Sequence, residues 1–266
     1  MTESRASGFT DICVVTAVDI EFKIAAGLLS RKSFSEQTRM KICHGLFGGR
    51  RVTILQSGMG APGFAEGLAE RLMRDRYDAL IIAGLAGALD PGLRVGDAVL
   101  YNLCYDARAI NFPIHEHPNH EDLREMVSTT AGDDLLARFM CEALTRANVS
   151  FIMAPGITAG RVVTEAKDKL ALGARYGAAA VDMETFQTLS ACASLDLPAT
   201  ALRVISDEAV RDIPDLNRIY NADGRINGCL MASVMIARPS AALRLMLTVR
   251  SALQSLRESL RAAMGA

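Results

Sequence analysis

Carboxylates that stand just beyond short apolar runs are the residues of this sequence best placed to do chemistry. In open α/β sheets, ligands bind at the carboxyl ends of the strands, so we expect these side chains to converge on one crevice. Carboxylates there accept hydrogen bonds from hydroxyl groups or transfer protons as general acids and bases. The candidates are Glu21, Asp182, Glu184 and Asp207.

Each of these acids also fits the first turn of a helix, where the helix dipole stabilises a negative charge. For Asp182 this structural role is the favoured interpretation. Glu184 and Asp207 are the stronger candidates for a chemical role, for reasons that the neighbouring residues supply.

Two glycine-rich segments follow predicted strands. Ser57-Gly58-Met59-Gly60-Ala61-Pro62-Gly63 has the spacing G-x-G-x-x-G, which lets backbone approach a pyrophosphate in dinucleotide-binding proteins. That fingerprint needs an acid after the next strand, where this chain has Gly84-Leu85-Ala86-Gly87-Ala88. We therefore expect two loops whose N–H groups face one crevice and suit a small anion, a water or a planar base. Tight turns alone are the alternative explanation for either segment.

The elements that must position these residues follow from the apolar periodicity. Short runs rich in Val, Ile and Leu alternate with segments of helical period, which predicts an α/β fold in a single domain over residues 1–266. The predicted strands are 12–17, 40–47, 52–56, 78–83, 95–103, 151–158, 178–181 and 199–205. The predicted helices are 19–29, 62–74, 133–147, 165–176, 184–195 and 240–263.

Composition excludes several classes of function. Lysines and arginines number 29 against 30 aspartates and glutamates, so no basic surface is available for nucleic acid. Six widely spaced cysteines without a C-x-x-C pair are typical of free thiols in a cytoplasmic protein. The longest uncharged apolar stretch near the C-terminus, residues 229–237, is about half of a membrane span. We expect no transmembrane segment and no secretory signal.

Four motifs in a fixed order resemble the nucleoside phosphorylase and nucleosidase superfamily. The resemblance runs from residue 12 to the C-terminal helix. It is strongest to the methylthioadenosine/S-adenosylhomocysteine nucleosidases and to a phosphorylase-like protein associated with hopanoid biosynthesis. It implies a three-layer sandwich around a mixed, mostly parallel sheet, a nucleoside substrate, no cofactor, and a homodimer or higher homo-oligomer. The motifs are Ser57-Gly58-Met59-Gly60, Gly84-Leu85-Ala86-Gly87-Ala88-Leu89, Val181-Asp182-Met183-Glu184 and Arg203-Val204-Ile205-Ser206-Asp207.

The resemblance gives the acids distinct roles. Asp207 would protonate the purine N7, so that the base leaves as a neutral group, and Ser206 would orient its carboxyl group. Glu21 matches the acid that positions and deprotonates the attacking water. Glu184 would accept hydrogen bonds from the ribose hydroxyls, and Met183 would form an apolar floor beneath the sugar.

Further residues would line the pocket by the same resemblance. Asp182 belongs to the substrate-binding motif, Ala86 and Gly87 would offer backbone to the base or the nucleophile, and Gly58 and Gly60 would line the nucleophile pocket. The remaining position is Val162, where the nucleosidases have the aromatic residue that flanks adenine.

Several departures from the family pattern bear on the reaction. Leu85 replaces a serine of the methylthioadenosine enzymes, and with Val162 it leaves the base preference open. The Gly-Asp-Pro motif and the phosphate-binding arginine of the hexameric phosphorylases are missing around Glu21. A carboxylate near the nucleophile repels phosphate, which favours hydrolysis over phosphorolysis. The open alternatives are phosphorolysis with phosphate as co-substrate and nucleoside binding without catalysis.

Two other features are weighed against simpler explanations. His115, His117 and His120 fall in the irregular segment 106–130, where a lid or solvated loop is favoured over a zinc site, so no metal is expected. The C-terminal helix carries several arginines among Leu and Met. Packing on the sheet or on a subunit partner is favoured there over contact with an anionic membrane surface.

Overall fold

The computed structural model describes residues 8–37, 40–58, 64–110, 129–219 and 239–265. Over those residues the strands are β1 (Asp11–Thr16), β2 (Ser30–Gln37), β3 (Met40–Phe47), β4 (Arg50–Gln56), β5 (Ala79–Ala88), β6 (Ala98–Ala107), β7 (Thr129–Ala131), β8 (Phe151–Ala159), β9 (Ala180–Asp182) and β10 (Ala199–Asp207). The helices are α1 (Asp19–Gly27), α2 (Phe64–Arg74), α3 (Asp134–Arg146), α4 (Ala166–Tyr176), α5 (Thr185–Ala193), a 3₁₀ turn (Leu216–Ile219) and α6 (Pro239–Ala263).

The strands form one mixed sheet that branches at β5. From one edge the order is β2-β3-β4-β1-β5, and β5 then pairs with both β9 and β10. Because β10 pairs with β6, β6 with β8 and β8 with β9, this half of the sheet closes into a ring. The α/β fold with a central mixed sheet is therefore confirmed, and the ring is a feature that the apolar pattern did not show.

Parallel pairing is concentrated in the middle of the sheet. Strands β1, β4, β5 and β10 run parallel to one another, as do β6, β8 and β9. The other five pairings among the described residues are antiparallel, which is a larger share than in the mostly parallel sheet that the resemblance implied. The parallel order matters for function because it places the carboxyl ends of β1, β4, β5 and β10 at one edge.

Helices cover both faces of the sheet, which is why β1 is apolar without alternation. Ile12 and Val14 belong to a core that includes residues of α1, α3 and α6. Cys13 and Val15 point the other way, into a core that includes Leu68 of α2 and residues of α5. Strand β1 thus contacts one helical layer through each of its two faces.

Two sequence predictions about this sheet were wrong. Strand β2 was not predicted, because its side chains are exposed throughout and give no apolar alternation; its backbone pairs with β3 instead. The segment 84–88 was expected to be a glycine loop, yet it continues β5 and pairs with both β10 and β9. Glycines at positions 84 and 87 let side chains from neighbouring elements pack closely against β5.

The C-terminal helix was predicted correctly and packs on the sheet through its second half, where Leu253, Leu256 and Leu260 are buried. Within the described residues, no helix combines the length and the apolar character that crossing a membrane requires. The histidine segment lies outside the described residues from 111 to 128, so the expectation of a lid without metal stays a prediction.

Candidate active site

The predicted site residues gather along two paired strand ends. In the parallel pairing of β10 with β5, Arg203 lies opposite Gly84 and Asp207 lies opposite Gly87. Four residues of extended strand span about 13 Å, so Arg203 and Asp207 lie at two ends of the same stretch of β10. We call this stretch, with the part of β5 paired to it, the crevice edge. Each end carries a buried acid, Glu21 at the first and Asp207 at the second.

Glu21 stands in the first turn of α1, and its side chain turns back toward the sheet. Its Oε2 accepts hydrogen bonds from the N–H groups of Ala17 and Val18, at 3.0 and 3.1 Å. Its Oε1 accepts from the N–H of Leu85 at 2.8 Å. Glutamate at this helical position satisfies amide groups that the helix start leaves free. The same contacts tie α1 to β5, so the acid joins two elements of the site.

The pKa of Glu21 is raised, because burial disfavours the charged carboxylate. The Leu85 N–H and the Arg203 guanidinium act in the opposite direction and favour the anion. A carboxyl group whose pKa is moved upward toward neutral pH is a better general base for water than an ordinary glutamate.

Arg203 is the cation at this end, and it lies in the middle of the apolar strand β10 with only 1% of its surface exposed. Its Nη2 donates to Thr185 Oγ1 at 2.8 Å and lies 3.7 Å from Glu184 Oε2. Its Nε lies 3.3 Å from Asp182 Oδ2. Burial lowers the pKa of the guanidinium, but Asp182 and then Glu184 outweigh burial and hold it above its ordinary value. The guanidinium therefore carries a permanent positive charge among three acids.

Gly84 makes room for this cluster. A Cβ atom placed on Gly84 would lie 2.6 Å from Arg203 Nη1 and 2.9 Å from Glu21 Oε1. Any side chain at this position would displace either the Glu21 carboxylate or the Arg203 guanidinium. The first glycine of the predicted loop is therefore required by close approach of side chains within a strand.

Asp182 is engaged by the protein through both carboxylate oxygens. Its Oδ1 accepts from the N–H groups of Glu184 and Thr185 and from the Thr158 hydroxyl. Its Oδ2 accepts from the Thr185 hydroxyl at 2.6 Å. These bonds satisfy the start of α5 and fix the turn between β9 and α5. That turn positions Glu184, which is 7% exposed, and the partly exposed Met183.

Asp207 occupies the second end of the crevice edge. Ser206, to which the resemblance assigns an orienting role, has its Oγ 2.8 Å from Asp207 Oδ1 and 3.2 Å from the Ala86 carbonyl oxygen. On the other oxygen, Lys169 Nζ lies 2.5 Å from Oδ2. A Cβ on Gly87 would stand 3.2 Å from that Oδ2, so a side chain at this position would crowd the carboxylate.

The remaining predicted residues are placed differently. The Val162 backbone is held at both its N–H and its carbonyl by the Asn217 side chain, at 2.8 and 3.0 Å. Gly58 has a φ of +81°, a conformation that favours glycine, and its N–H donates to the Ala17 carbonyl next to Glu21. Gly60 lies outside the described residues.

Sequence reasoning gave no role to three residues that shape the site. Arg203 could have been found as a lone charge inside an apolar strand, since a buried charge needs partners. Lys169 shares a helix face with the buried Leu172 and Tyr176, and this spacing could have marked it as pointing inward. Asn217 carries no comparable signal, because its contact with Val162 joins segments 55 positions apart.

The geometry supports acid–base chemistry on a small polar molecule. A buried carboxyl group with a raised pKa at one end can take a proton from water. The carboxyl group at the other end lies beside two groups that carry protons, a hydroxyl and an ammonium. At the Glu21 end, beside Arg203, Glu184 adds a nearly buried carboxylate next to the partly exposed Met183.

Comparisons with known proteins show which sequences and folds this chain is similar to. The sequence model described as the phosphorylase superfamily matches residues 11–228. A 5′-methylthioadenosine/S-adenosylhomocysteine nucleosidase of Colwellia psychrerythraea is 26% identical over 246 residues, covering 85% of this chain and 95% of that protein. Two solved structures share the fold at a TM-score of 0.70. One is the corresponding nucleosidase of Neisseria meningitidis in complex with methylthio-immucillin-A, 17% identical, covering 96% of this chain and 98% of that one. The other is the futalosine hydrolase of Helicobacter pylori, 15% identical, covering 95% and 96%.

Proposed function

The chain belongs to the phosphorylase superfamily, and from this premise we propose that it hydrolyses the N-glycosidic bond of a purine nucleoside, with a 5′-substituted adenosine as substrate. The observation that carries the proposal is the pair of acids on the β5–β10 edge, each in a different electrostatic environment. Support for adenosine comes from the relatives, which are nucleosidases named for methylthioadenosine and S-adenosylhomocysteine.

The proposed reaction begins at Asp207. The carboxyl group transfers a proton to N7 of the base while the bond between the base and the ribosyl carbon breaks. The electron pair of that bond goes to the base, which leaves as a neutral molecule, and the ribosyl carbon develops oxocarbenium character. Ser206 keeps Oδ1 occupied and so fixes the plane of the carboxyl group during the transfer. Such general-acid catalysis contributes about 10²–10⁴-fold.

The sugar and the nucleophile occupy the other end. Glu184 accepts hydrogen bonds from the ribose hydroxyls above Met183. Water lies against Glu21, loses a proton to this carboxylate and attacks the ribosyl carbon. The positive charge of Arg203 offsets the repulsion between the carboxylates of Glu184 and Glu21, so both can lie at this end of the site.

Water is favoured over phosphate because of the charges around Glu21. Phosphate would bring a second anion beside a buried carboxylate, and like charges in a low-dielectric site repel strongly. The permanent charge of Arg203 is already shared among Glu184, Asp182 and Glu21. We propose water as the nucleophile and no cofactor or metal; phosphate-dependent turnover is the alternative that the experiment below separates.

We also propose a cytoplasmic homodimer or higher homo-oligomer. The cytoplasmic placement agrees with the free thiols of Cys13, Cys43, Cys104, Cys141 and Cys192. The 5′ substituent ranges in this proposal from a methylthio group to a large lipid such as a hopanoid. Leu85 and Val162 are the positions at which this chain departs from the methylthioadenosine enzymes, and so they are candidates for setting the preference.

The test is adenine release from a panel of adenosines that differ only at the 5′ position, run with and without phosphate, with the sugar product identified. We expect free ribose products at a rate that phosphate does not change. An Asp207→Asn variant is the matched blank, since it keeps the shape of the side chain and loses the transferable proton. Release that requires phosphate and yields a ribose 1-phosphate would establish phosphorolysis. Stoichiometric binding without release over hours would establish a binding protein.

A further inference from the structure

Lys169 is the one lysine among the described residues that is completely buried, and it serves Asp207. Its Nζ lies 2.5 Å from Asp207 Oδ2 and also donates to the backbone carbonyls of Glu208 and Arg211, at 3.3 and 3.1 Å. An ammonium group has three donors, and here three oxygen atoms of the protein receive them. The surroundings of Nζ are therefore built for a protonated amine.

This arrangement is costly, so a function for it is expected. Removing an ammonium from water is unfavourable unless it is paired and hydrogen-bonded, and pairing seldom repays the whole cost. An apolar residue would suit the same position of α4, whose neighbours on the buried face include Leu172 and Tyr176. The backbone carbonyl contacts also show that Nζ is directed at Asp207 by the chain that follows β10.

We propose that Lys169 and Asp207 form one two-residue proton donor, in which Lys169 stores the proton that Asp207 delivers. The proposal rests on the proposed function, because it concerns the same departing base. The 2.5 Å contact places the Lys169 ammonium and the Asp207 carboxylate side by side, and together they carry no net charge. Lys169 is a positioning residue in this scheme, since only Asp207 contacts the substrate.

The proton passes in two movements. It leaves Lys169 Nζ for Asp207 Oδ2, which gives a neutral amine and a carboxylic acid. It then passes from Oδ2 to N7 of the base while the glycosidic bond breaks and its electron pair moves to the base. Asp207 ends as a carboxylate, Lys169 as an amine, and the amine recovers a proton from solvent after the base departs.

Other charged side chains around the pair are themselves engaged in contacts. Glu208 forms an ion pair with Arg211 at 3.0 Å. Asp212 accepts from the Ala166 N–H at the start of α4, and Arg244 of α6 donates to the Asp212 carbonyl oxygen.

On α4 itself the neighbouring charges are Asp168, which is also buried, and the exposed Lys167–Glu165 pair. On β5 and β9 the residues at this level are Gly87 and Val181.

The experiment is the pH dependence of kcat for adenine release by the wild type, Lys169→Met and Lys169→Arg. The proposal predicts that, with the lysine in place, the wild-type rate stays level from about pH 6 to 8.5. In the methionine variant the proton must reside on Asp207 alone. Its rate should fall about 100-fold at about pH 8 and recover to within about tenfold at about pH 5.

The arginine variant separates proton storage from charge. Arginine keeps the positive charge and the hydrogen bonds but does not release a proton. We therefore expect Lys169→Arg to be slower than Lys169→Met at about pH 5. Lys167→Met, two positions away on an exposed face, is the matched control and should keep the wild-type profile.

Three results would overturn the proposal. A loss in Lys169→Met that is equal at every pH would assign Lys169 a structural role. Wild-type activity in Lys169→Arg would assign it a role through charge alone. A wild-type rate that falls tenfold between about pH 6 and 8 would exclude proton storage without any variant, should the methionine protein fail to fold. Absence of adenine release from wild type on the whole panel would instead refute the proposed function itself.

Discussion

Glu21 and Asp207 are buried acids at two ends of one strand pair, and they differ in the donors that face them. Glu21 receives three backbone N–H groups and the field of Arg203. Asp207 receives a hydroxyl group and an ammonium. Backbone amides and guanidinium groups are not acids in the ordinary pH range, whereas an ammonium is a titratable group. The donor sets therefore suit Glu21 to accept a proton and Asp207 to deliver one.

The largest effect should come from the acid. Asp207→Asn removes the proton that the base needs, so we expect kcat for adenine release to fall about 10²–10⁴-fold. The exposed Asp134→Asn on α3 makes the same chemical change far from the crevice and should retain the wild-type rate. Full activity in Asp207→Asn would contradict the assignment of Asp207 as the proton donor.

Arg203→Met tests whether the Glu21 end depends on a permanent charge. It leaves Asp182 and Glu184 buried without their cation, and breaking such a pair costs about 3–5 kcal/mol of unfolding free energy. Urea denaturation of the two proteins at neutral pH measures the difference. A loss below about 1 kcal/mol, the range of exposed ion pairs, would show that the cluster is solvated.

Glu21→Gln tests the base. We expect a fall in kcat of about 100-fold, because the amide cannot take a proton from water. Glu36→Gln on the exposed strand β2 provides a comparison that should not change the rate.

The same Glu21→Gln variant has a pH signature in stability. Burial raises the pKa of Glu21 in the folded chain, so folding favours its protonated form. That contribution is complete below the ordinary range of a glutamate and is lost as pH rises through the folded-state value. The unfolding free energy of wild type minus that of the variant should therefore decrease as pH rises. A difference that is constant with pH would show that burial does not disfavour the charge.

The same substitution at two glycines of β5 compares the packing at the two ends of the crevice edge. Gly84→Ala places a methyl group 2.6 Å from the Arg203 guanidinium, whereas Gly87→Ala places it 3.2 Å from Asp207 Oδ2. Overpacking costs about 1–3 kcal/mol, so we expect Gly84→Ala to lose stability and activity. Gly87→Ala should keep most stability and lower kcat, which thermal unfolding and initial rates resolve. Equal losses in both would contradict the different packing at the two ends.

The sequence predicts this molecule best where burial is simple. Strands β1 and β10 were recognised because helices cover both faces and leave apolar runs. The acids at their ends followed from the position of parallel strand ends. Strand β2 was missed because all its side chains are exposed and show no apolar alternation. Residues 84–88 were missed because a run rich in glycine is also typical of a turn.

The contacts within the site could not be predicted for a different reason. Arg203 joins three acids from two distant segments, and Lys169 contacts Asp207 across 38 positions of the chain. Such pairs depend on how helices and strands pack in three dimensions, which no local period reports. The charge in an apolar strand and the lysine on a buried helix face indicated only that partners exist.

The most direct test of the account is proton NMR of 5′-methylthioadenosine with the wild-type protein in phosphate-free buffer. Signals of the base and of the anomeric proton report both products in one sample. The account predicts equal amounts of adenine and free methylthioribose, at a rate that added phosphate leaves unchanged. An anomeric signal of a sugar 1-phosphate that appears only with phosphate, or an intact nucleoside after hours, would contradict hydrolysis at the Glu21 and Asp207 site.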